Sequence, residues 1–143
     1  MEYDIAIIGG GPAGYTAAER ASENGLKTIL FEKNAIGGVC LNEGCIPTKT
    51  LLYSAKILDS IKSASKYGIV AMKDPSFDLA KIIDRKNKTV RKLTLGVKAR
   101  LTGNGVTIVE GEARIAGEEF GNIRIHCDGK RVFSEECVSM HRL

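Results

Sequence analysis

Cys40 and Cys45 stand in the stretch EKNAIGGVCLNEGCIPTKTLL, residues 32–52, separated by four residues and flanked by glycines, a proline and a lysine. Three kinds of chemistry compete for such a pair: inert thiols packed as small apolar groups, half of a metal site, or a disulfide that exchanges with other thiols. The polar and glycine-rich surroundings weigh against inert burial. A zinc site would need a second pair, Cys127 with Cys137 or a histidine, and C-x-x-x-x-C is a loose spacing for structural zinc, so no metal ligand is assigned. A disulfide makes a geometric demand. Residues five apart in a regular helix have Cα atoms roughly 8 to 9 Å apart, whereas a disulfide needs less than about 7 Å. Gly37, Gly38 and Gly44 supply backbone freedom for a distorted turn that would bring the two thiols together. On these residues alone the three readings stay open, the metal one weakest.

A second group of residues belongs to phosphate chemistry. Gly9, Gly11 and Gly14 form G-x-G-x-x-G, and Glu32 follows 18 residues after Gly14. Gly9 would allow a tight turn, Gly11 a close approach of backbone to a pyrophosphate, and Gly14 close packing of a helix on a strand. Pro12 and Ala13 open that helix, whose free N–H groups and positive dipole end favour a phosphate. Glu32 would accept hydrogen bonds from an adenosine ribose, and its charge disfavours a phosphorylated 2′ position. The loop predicts a bound dinucleotide without saying which.

The elements around these residues fit the motif. YDIAIIGG reads as a buried strand, PAGYTAAERASEN as a helix from Pro12 to about Asn24, and KTILFEK as a second strand, which makes a right-handed β-α-β unit with parallel strands. Ala17 and Ala18 continue the close helix packing begun at Gly14. Helices are predicted from Pro47 to about Ser65 and from Phe77 to about Leu101, with DPSFDLAK as the break. From Gly105 the period becomes that of strands, in VTIVEGEARIAG, GNIRIHC and KRVFSEECV, which read as a small meander. The fold class expected from these elements is α/β: a Rossmann-like dinucleotide-binding domain with a parallel sheet, a two-helix insertion and a β-meander.

At 143 residues and 43% apolar, the chain is about one domain with a core. Its net charge of +4 reads as Lys and Arg scattered among acids rather than gathered into a block, which disfavours a nucleic-acid partner. The start enters an apolar run at once, without a basic leader or any stretch near membrane-spanning length, so a cytoplasmic protein with no membrane partner is expected.

IIGGGPAGYTAA, LFEK and GGVCLNEGCIPTK together resemble the FAD domain of the pyridine nucleotide-disulfide oxidoreductases, and most of all their dihydrolipoyl dehydrogenase branch. Glutathione and mercuric reductases share the general pattern, while the C-I-P-T-K ending favours the dihydrolipoyl branch. The resemblance covers about residues 1–133, leaving 134–143 as a divergent tail. It implies a redox-active disulfide in which Cys40 is the interchange thiol and Cys45 the thiol beside the flavin. It also implies FAD contacts at Gly9, Gly11, Pro12, Ala13, Gly14, Glu32, Lys33, Gly38, Val39, Cys40, Cys45, Lys49 and Ala113. Lys49 would lie beside the flavin, and Ala113 would touch the adenine end through its backbone.

The activity implied is oxidation of dihydrolipoamide by NAD, with a lipoyl-bearing protein or a small dithiol or disulfide as partner and a homodimer when full length. The family's nicotinamide domain, dimerisation domain and H-P-x-x-x-E base are not found in these residues. His126 in RIHCD reads as a strand surface residue, and neither it nor His141 is given a catalytic role. Such a piece would not turn over alone. SEECVSMHRL, where the family has a strand ending in an A-T-G-like turn, would leave an unprotected sheet edge and lower stability. A glutathione or mercuric reductase-like piece and a non-catalytic nucleotide-binding or redox-sensing module are the rival readings.

Overall fold

The computed structural model describes residues 2–70 and 74–140. Strand β1 (Glu2–Ile8) leads through the glycine loop into helix α1 (Pro12–Glu23) and strand β2 (Thr28–Glu32). A short helix α2 (Gly38–Asn42) and two long ones, α3 (Cys45–Lys62) and α4 (Leu79–Gly103), precede four strands: β3 (Thr107–Glu110), β4 (Ala113–Glu119), β5 (Asn122–Cys127) and β6 (Lys130–Ser139). The last turn after α3 tightens into a 3-10 segment, Ala64–Tyr67, so the helix expected to reach Ser65 changes type at its end.

All six strands join one sheet in the order β3-β2-β1-β6-β5-β4. Strands β3, β2, β1 and β6 run parallel to their neighbours, and β6, β5 and β4 form the antiparallel meander. VTIVEGEARIAG, expected as one strand, divides at Gly111: β3 completes the parallel half, and β4 begins the meander at the opposite edge. The step from Glu110 to Ala113 spans at most about 11 Å, so the two edges approach there and the sheet folds back over itself.

The result is three layers. Ile7 and Leu30 meet Ala18, Leu101 and Val106 on the helical side, while Ala6, Ile8, Ile29 and Phe31 meet Ala113, Ile125 and Cys127 of the meander on the other. Every residue of β2 is buried, as a strand covered on both faces requires.

Strand β6 crosses the boundary expected at residue 133. Its first half pairs with β5 through Ser134, and its second half runs beside β1 from Phe133 to Ser139. Residues 134–139 are therefore sheet, and the open edge expected there is the far side of Glu135–Ser139, which pairs with β1 alone. His141 lies outside the described residues.

Helix α4 departs from the scattered charge expected. It carries eight Lys and Arg against the single acid Asp84, more than the whole chain's net +4. Among the described residues no helix is long and apolar enough to cross a membrane.

Candidate functional site

The site is built where the C-terminal ends of β1 and β2 meet the starts of α1 and α2. Gly9 turns with φ +108°, a conformation open to glycine, and its N–H donates to the Phe31 carbonyl at 2.8 Å. A Cβ on Gly14 would collide with the Gly9 carbonyl, so this glycine is what lets α1 sit against the loop. Gly11 caps α1 with no side chain satisfying the helix's first N–H groups and no acid in the first turn, and nothing lies within 4 Å of where its Cβ would be. Free donors, a positive helix end and empty space at one point suit a pyrophosphate.

Glu32, buried at the end of β2, holds this loop in shape. Its Oε2 accepts the Gly10 N–H at 2.7 Å and its Oε1 accepts the Asn34 N–H at 2.8 Å. An ionised carboxylate has about four acceptor positions, so capacity remains for ribose hydroxyls. Gly10, given no role in the motif, is required here: a Cβ would come 2.9 Å from Ile36 and 3.1 Å from Glu32. The Gly10 carbonyl in turn accepts the Gly37 N–H at 2.7 Å, tying the glycine loop to the entry of α2.

The two cysteines are bonded to each other, with Cα atoms 4.8 Å apart. The approach that a continuous helix forbids comes from a break: Cys40 ends up in α2 and Cys45 opens α3, with Glu43 and Gly44 off the helical path between them. Gly44 lies against the Val39 carbonyl, 3.2 Å from its would-be Cβ, and its N–H donates there at 2.7 Å. Asn42 braces the turn, its Nδ2 donating to the Gly38 carbonyl at 2.9 Å and the Ile36 carbonyl at 3.1 Å. Cys40 is half-buried and Cys45 exposed. Cys127 and Cys137 are free thiols whose pKa burial raises, and they pack in the sheet core.

One cleft of about 640 Å³ joins the two chemistries. Gly9, Gly11, Pro12, Glu32, Lys33, Gly38, Val39, Cys40 and Cys45 all line it. Among the expected residues Gly14 supports the cleft from beneath, and Ala13 is exposed in the first turn of α1 without lining it. Lys49 is exposed one turn beyond Cys45, also off the lining. Ala113 is buried in the core against the meander rather than in the cleft. Asn34, Asn42 and Met140 line it unannounced. Met140 reaches it because its N–H donates to the Ile8 carbonyl at 2.8 Å, extending β6 to the mouth of the glycine loop. Lys33 pairs with Glu112 at 3.7 Å, and Arg114 followed by Lys33 holds the Glu112 carboxyl below its usual pKa. His126 is exposed on β5, away from the cleft.

Residues 3–131 match the family model described as pyridine nucleotide-disulphide oxidoreductase. The chain belongs to that family. It is 47% identical over 110 residues to the dihydrolipoyl dehydrogenase of Acholeplasma laidlawii, covering 77% of this chain and 33% of that protein. It is 49% identical over 115 residues to the dihydrolipoyl dehydrogenase of Mycoplasma genitalium, covering 80% and 25%. With that of Haloferax volcanii the identity is 45% over 138 residues, covering 96% and 28%. The chain thus matches about a quarter to a third of the length of these curated relatives.

Proposed function

We propose that this chain is the FAD-binding, disulfide-bearing part of a dihydrolipoyl dehydrogenase-type flavoenzyme acting in the cytoplasm. The observation that carries this reading is that the Cys40–Cys45 disulfide and the uncapped glycine loop line the same cleft. The loop N–H groups at the start of α1 would hold the FAD pyrophosphate, Glu32 the ribose, and Gly38 and Val39 the path toward the disulfide.

A substrate thiolate attacks the Cys40 sulfur, the Cys40–Cys45 bond breaks, and Cys45 leaves as a thiolate. The second substrate thiol, deprotonated, attacks the substrate sulfur of the mixed disulfide and releases Cys40. The substrate is now a disulfide, and its two electrons reside in the Cys40/Cys45 pair. FAD, when bound, supplies the two-electron acceptor that returns the pair to its disulfide, with NAD as the final oxidant. Lys49, at i+4 from Cys45 on α3, lies on the same helix face, where its charge favours the Cys45 thiolate. Asn42 and Gly44 keep the two sulfurs within reach as the bond opens and closes. A lipoyl-bearing protein is the substrate class, and a homodimer is the assembly of the longer protein.

The test is the visible spectrum of the purified chain with added FAD, reduced stepwise and anaerobically with dihydrolipoamide. The reading requires a bound-flavin spectrum that develops a long-wavelength shoulder on reduction and loses that shoulder in Cys45→Ser. Free-flavin absorbance throughout would refute it for this chain.

A further inference from the structure

Helix α4 holds cations that its neighbours do not answer. Lys81 pairs with Asp78, Lys88 with Asp84, Lys98 with Glu110 and Arg100 with Glu19. Arg85 is spent on α3, where its Nη1 donates to the Thr50 carbonyl at 3.1 Å and its guanidinium lies 5.6 Å from the centre of the Tyr53 ring. Lys86, Arg91 and Lys92 make no ion pair among the described residues. Lys86 is also half-buried, and a cation drawn partly out of water without a counter-charge is held at a cost.

Lys86 and Arg91 both line a cleft of about 320 Å³ between the end of α2 and the middle of α4. Among the described residues no carboxylate lines it, and its two amide oxygens are already taken. Asn42 Oδ1 accepts the Thr94 hydroxyl at 3.4 Å, and Asn87 Oδ1 accepts the Lys86 ammonium. The Asn42 NH₂ is spent on the Gly38 and Ile36 carbonyls. The Arg91 guanidinium, the other ammonium protons of Lys86 and the Asn87 NH₂ are left for a visitor, and all are donors. An anion rich in acceptor oxygens answers such a set. Lys86 and Arg91 lie five residues apart on one helix, about 7.5 Å along its axis and about 140° around it, so they stand on opposite walls with half-buried Val90 between them. A single anionic group answers one wall, whereas a molecule with an anionic group at each end answers both.

We propose that this cleft binds a small molecule carrying two phosphoryl groups, one held by Arg91 and the other by Lys86, with a short carbon frame over Val90. A phosphoryl group brings more charge near neutral pH and more acceptor oxygens than a carboxylate, which suits a lining whose free side-chain groups are donors. The planar fork of Arg91 matches phosphate oxygens in pairs, and the Lys86 ammonium adds a compact point charge. The site stands apart from the glycine loop, since Asn42 alone lines both clefts among the described residues. It is independent of the flavin and disulfide chemistry above.

The experiment titrates fructose 1,6-bisphosphate into the ¹⁵N-labelled chain at low ionic strength and follows the amide resonances by NMR. Saturable shifts are expected at Lys86–Leu95 and at the Asn42 side chain. Affinity should exceed that for inorganic phosphate by about 10-fold, the worth of one further charge-assisted contact. K86Q/R91Q should weaken binding by about 10-fold or more. K88Q/K92Q removes the same charge from α4 outside the cleft and should change affinity by less than about 3-fold, with far-UV circular dichroism checking both folds. Equal weakening in the two double variants would overturn the proposal in favour of the general field of the helix. Inorganic phosphate binding as tightly as the bisphosphate would overturn it in favour of an adventitious ion only, and glutarate binding as tightly would replace the phosphoryl groups by carboxylates. Shifts confined to Gly9–Gly14, or no saturable shift up to about 10 mM, would also overturn it.

Discussion

Glu32→Gln removes one charge and changes no side-chain length, which makes it a direct probe of the clamp on the glycine loop. The carboxylate accepts two backbone N–H groups, Gly10 at 2.7 Å and Asn34 at 2.8 Å, with the residue 8% exposed. A glutamine keeps one acceptor oxygen and turns an NH₂ group toward the other N–H. One charge-assisted bond is lost, one backbone donor is left without a partner, and the surviving bond becomes neutral. Together these effects come to about 2 to 4 kcal/mol. At about 3 °C per kcal/mol for a chain of this size, Tm should fall by about 6 to 12 °C. Urea unfolding followed by far-UV circular dichroism, with the disulfide intact, measures this as a lowered midpoint at unchanged slope. Glu43→Gln is the control, since Glu43 is an exposed carboxylate on the same cleft and should change stability by less than about 0.5 kcal/mol. If Glu32→Gln also stays within about 0.5 kcal/mol of the parent, the clamp contributes nothing net and the reasoning fails. Loss of FAD binding at undiminished stability would assign Glu32 to the ribose alone.

Gly14→Ala drives a methyl into the Gly9 carbonyl and should cost about 1 to 3 kcal/mol, read as a lowered urea midpoint, together with loss of the bound-flavin spectrum; retention of both would refute the close packing of α1 on the loop. Reducing the Cys40–Cys45 bond, whose separation is 5 residues, should lower stability by about 2 kcal/mol in the chain-entropy model, measured by unfolding with and without dithiothreitol. Asn42→Asp sets a carboxylate against the Ile36 and Gly38 carbonyls and should destabilise by about 1 to 3 kcal/mol, with faster reduction of the disulfide by a small thiol as the local readout. Burial raises the pKa of Cys127 and Cys137, so these thiols stabilise the fold below the ordinary thiol pKa and lose that contribution as pH rises through their raised values. Stability should therefore decline on the alkaline side, and iodoacetamide should label half-buried Cys137 before buried Cys127 in the native protein.

Much of the site is written locally. The strand before Gly9, the helix after Gly11 and the acid ending β2 are neighbours along the chain, and short-range periodicity and turn chemistry reveal them. The cysteine turn is legible in part: the spacing excludes a bridge within a regular helix, and glycines mark where the path could bend. It does not reveal that the bend rests on Gly44 against Val39 and on Asn42 donating to two carbonyls, because both depend on which groups come to face each other. VTIVEGEARIAG reads as one strand because its residue types suit a strand throughout, and Gly111 gives no hint that β3 and β4 belong to opposite edges of the sheet.

Residue types and near-neighbour spacing are thus sufficient for the parallel unit, the glycine loop and Glu32, since each relies on interactions within a few residues or on one crossover, while by themselves they leave the pairing of Cys40 with Cys45 open. The long-range pairings belong to the tertiary structure alone. Only there does β6 pass from the meander to the edge of β1, carrying Met140 to the cleft and converting a tail into sheet. Only there does Glu32 face Gly10 across 22 residues, and Asn42 face Thr94 across 52. Such contacts arise from how layers pack, and packing is a property of surfaces brought together from distant segments rather than of any one segment's order of residues.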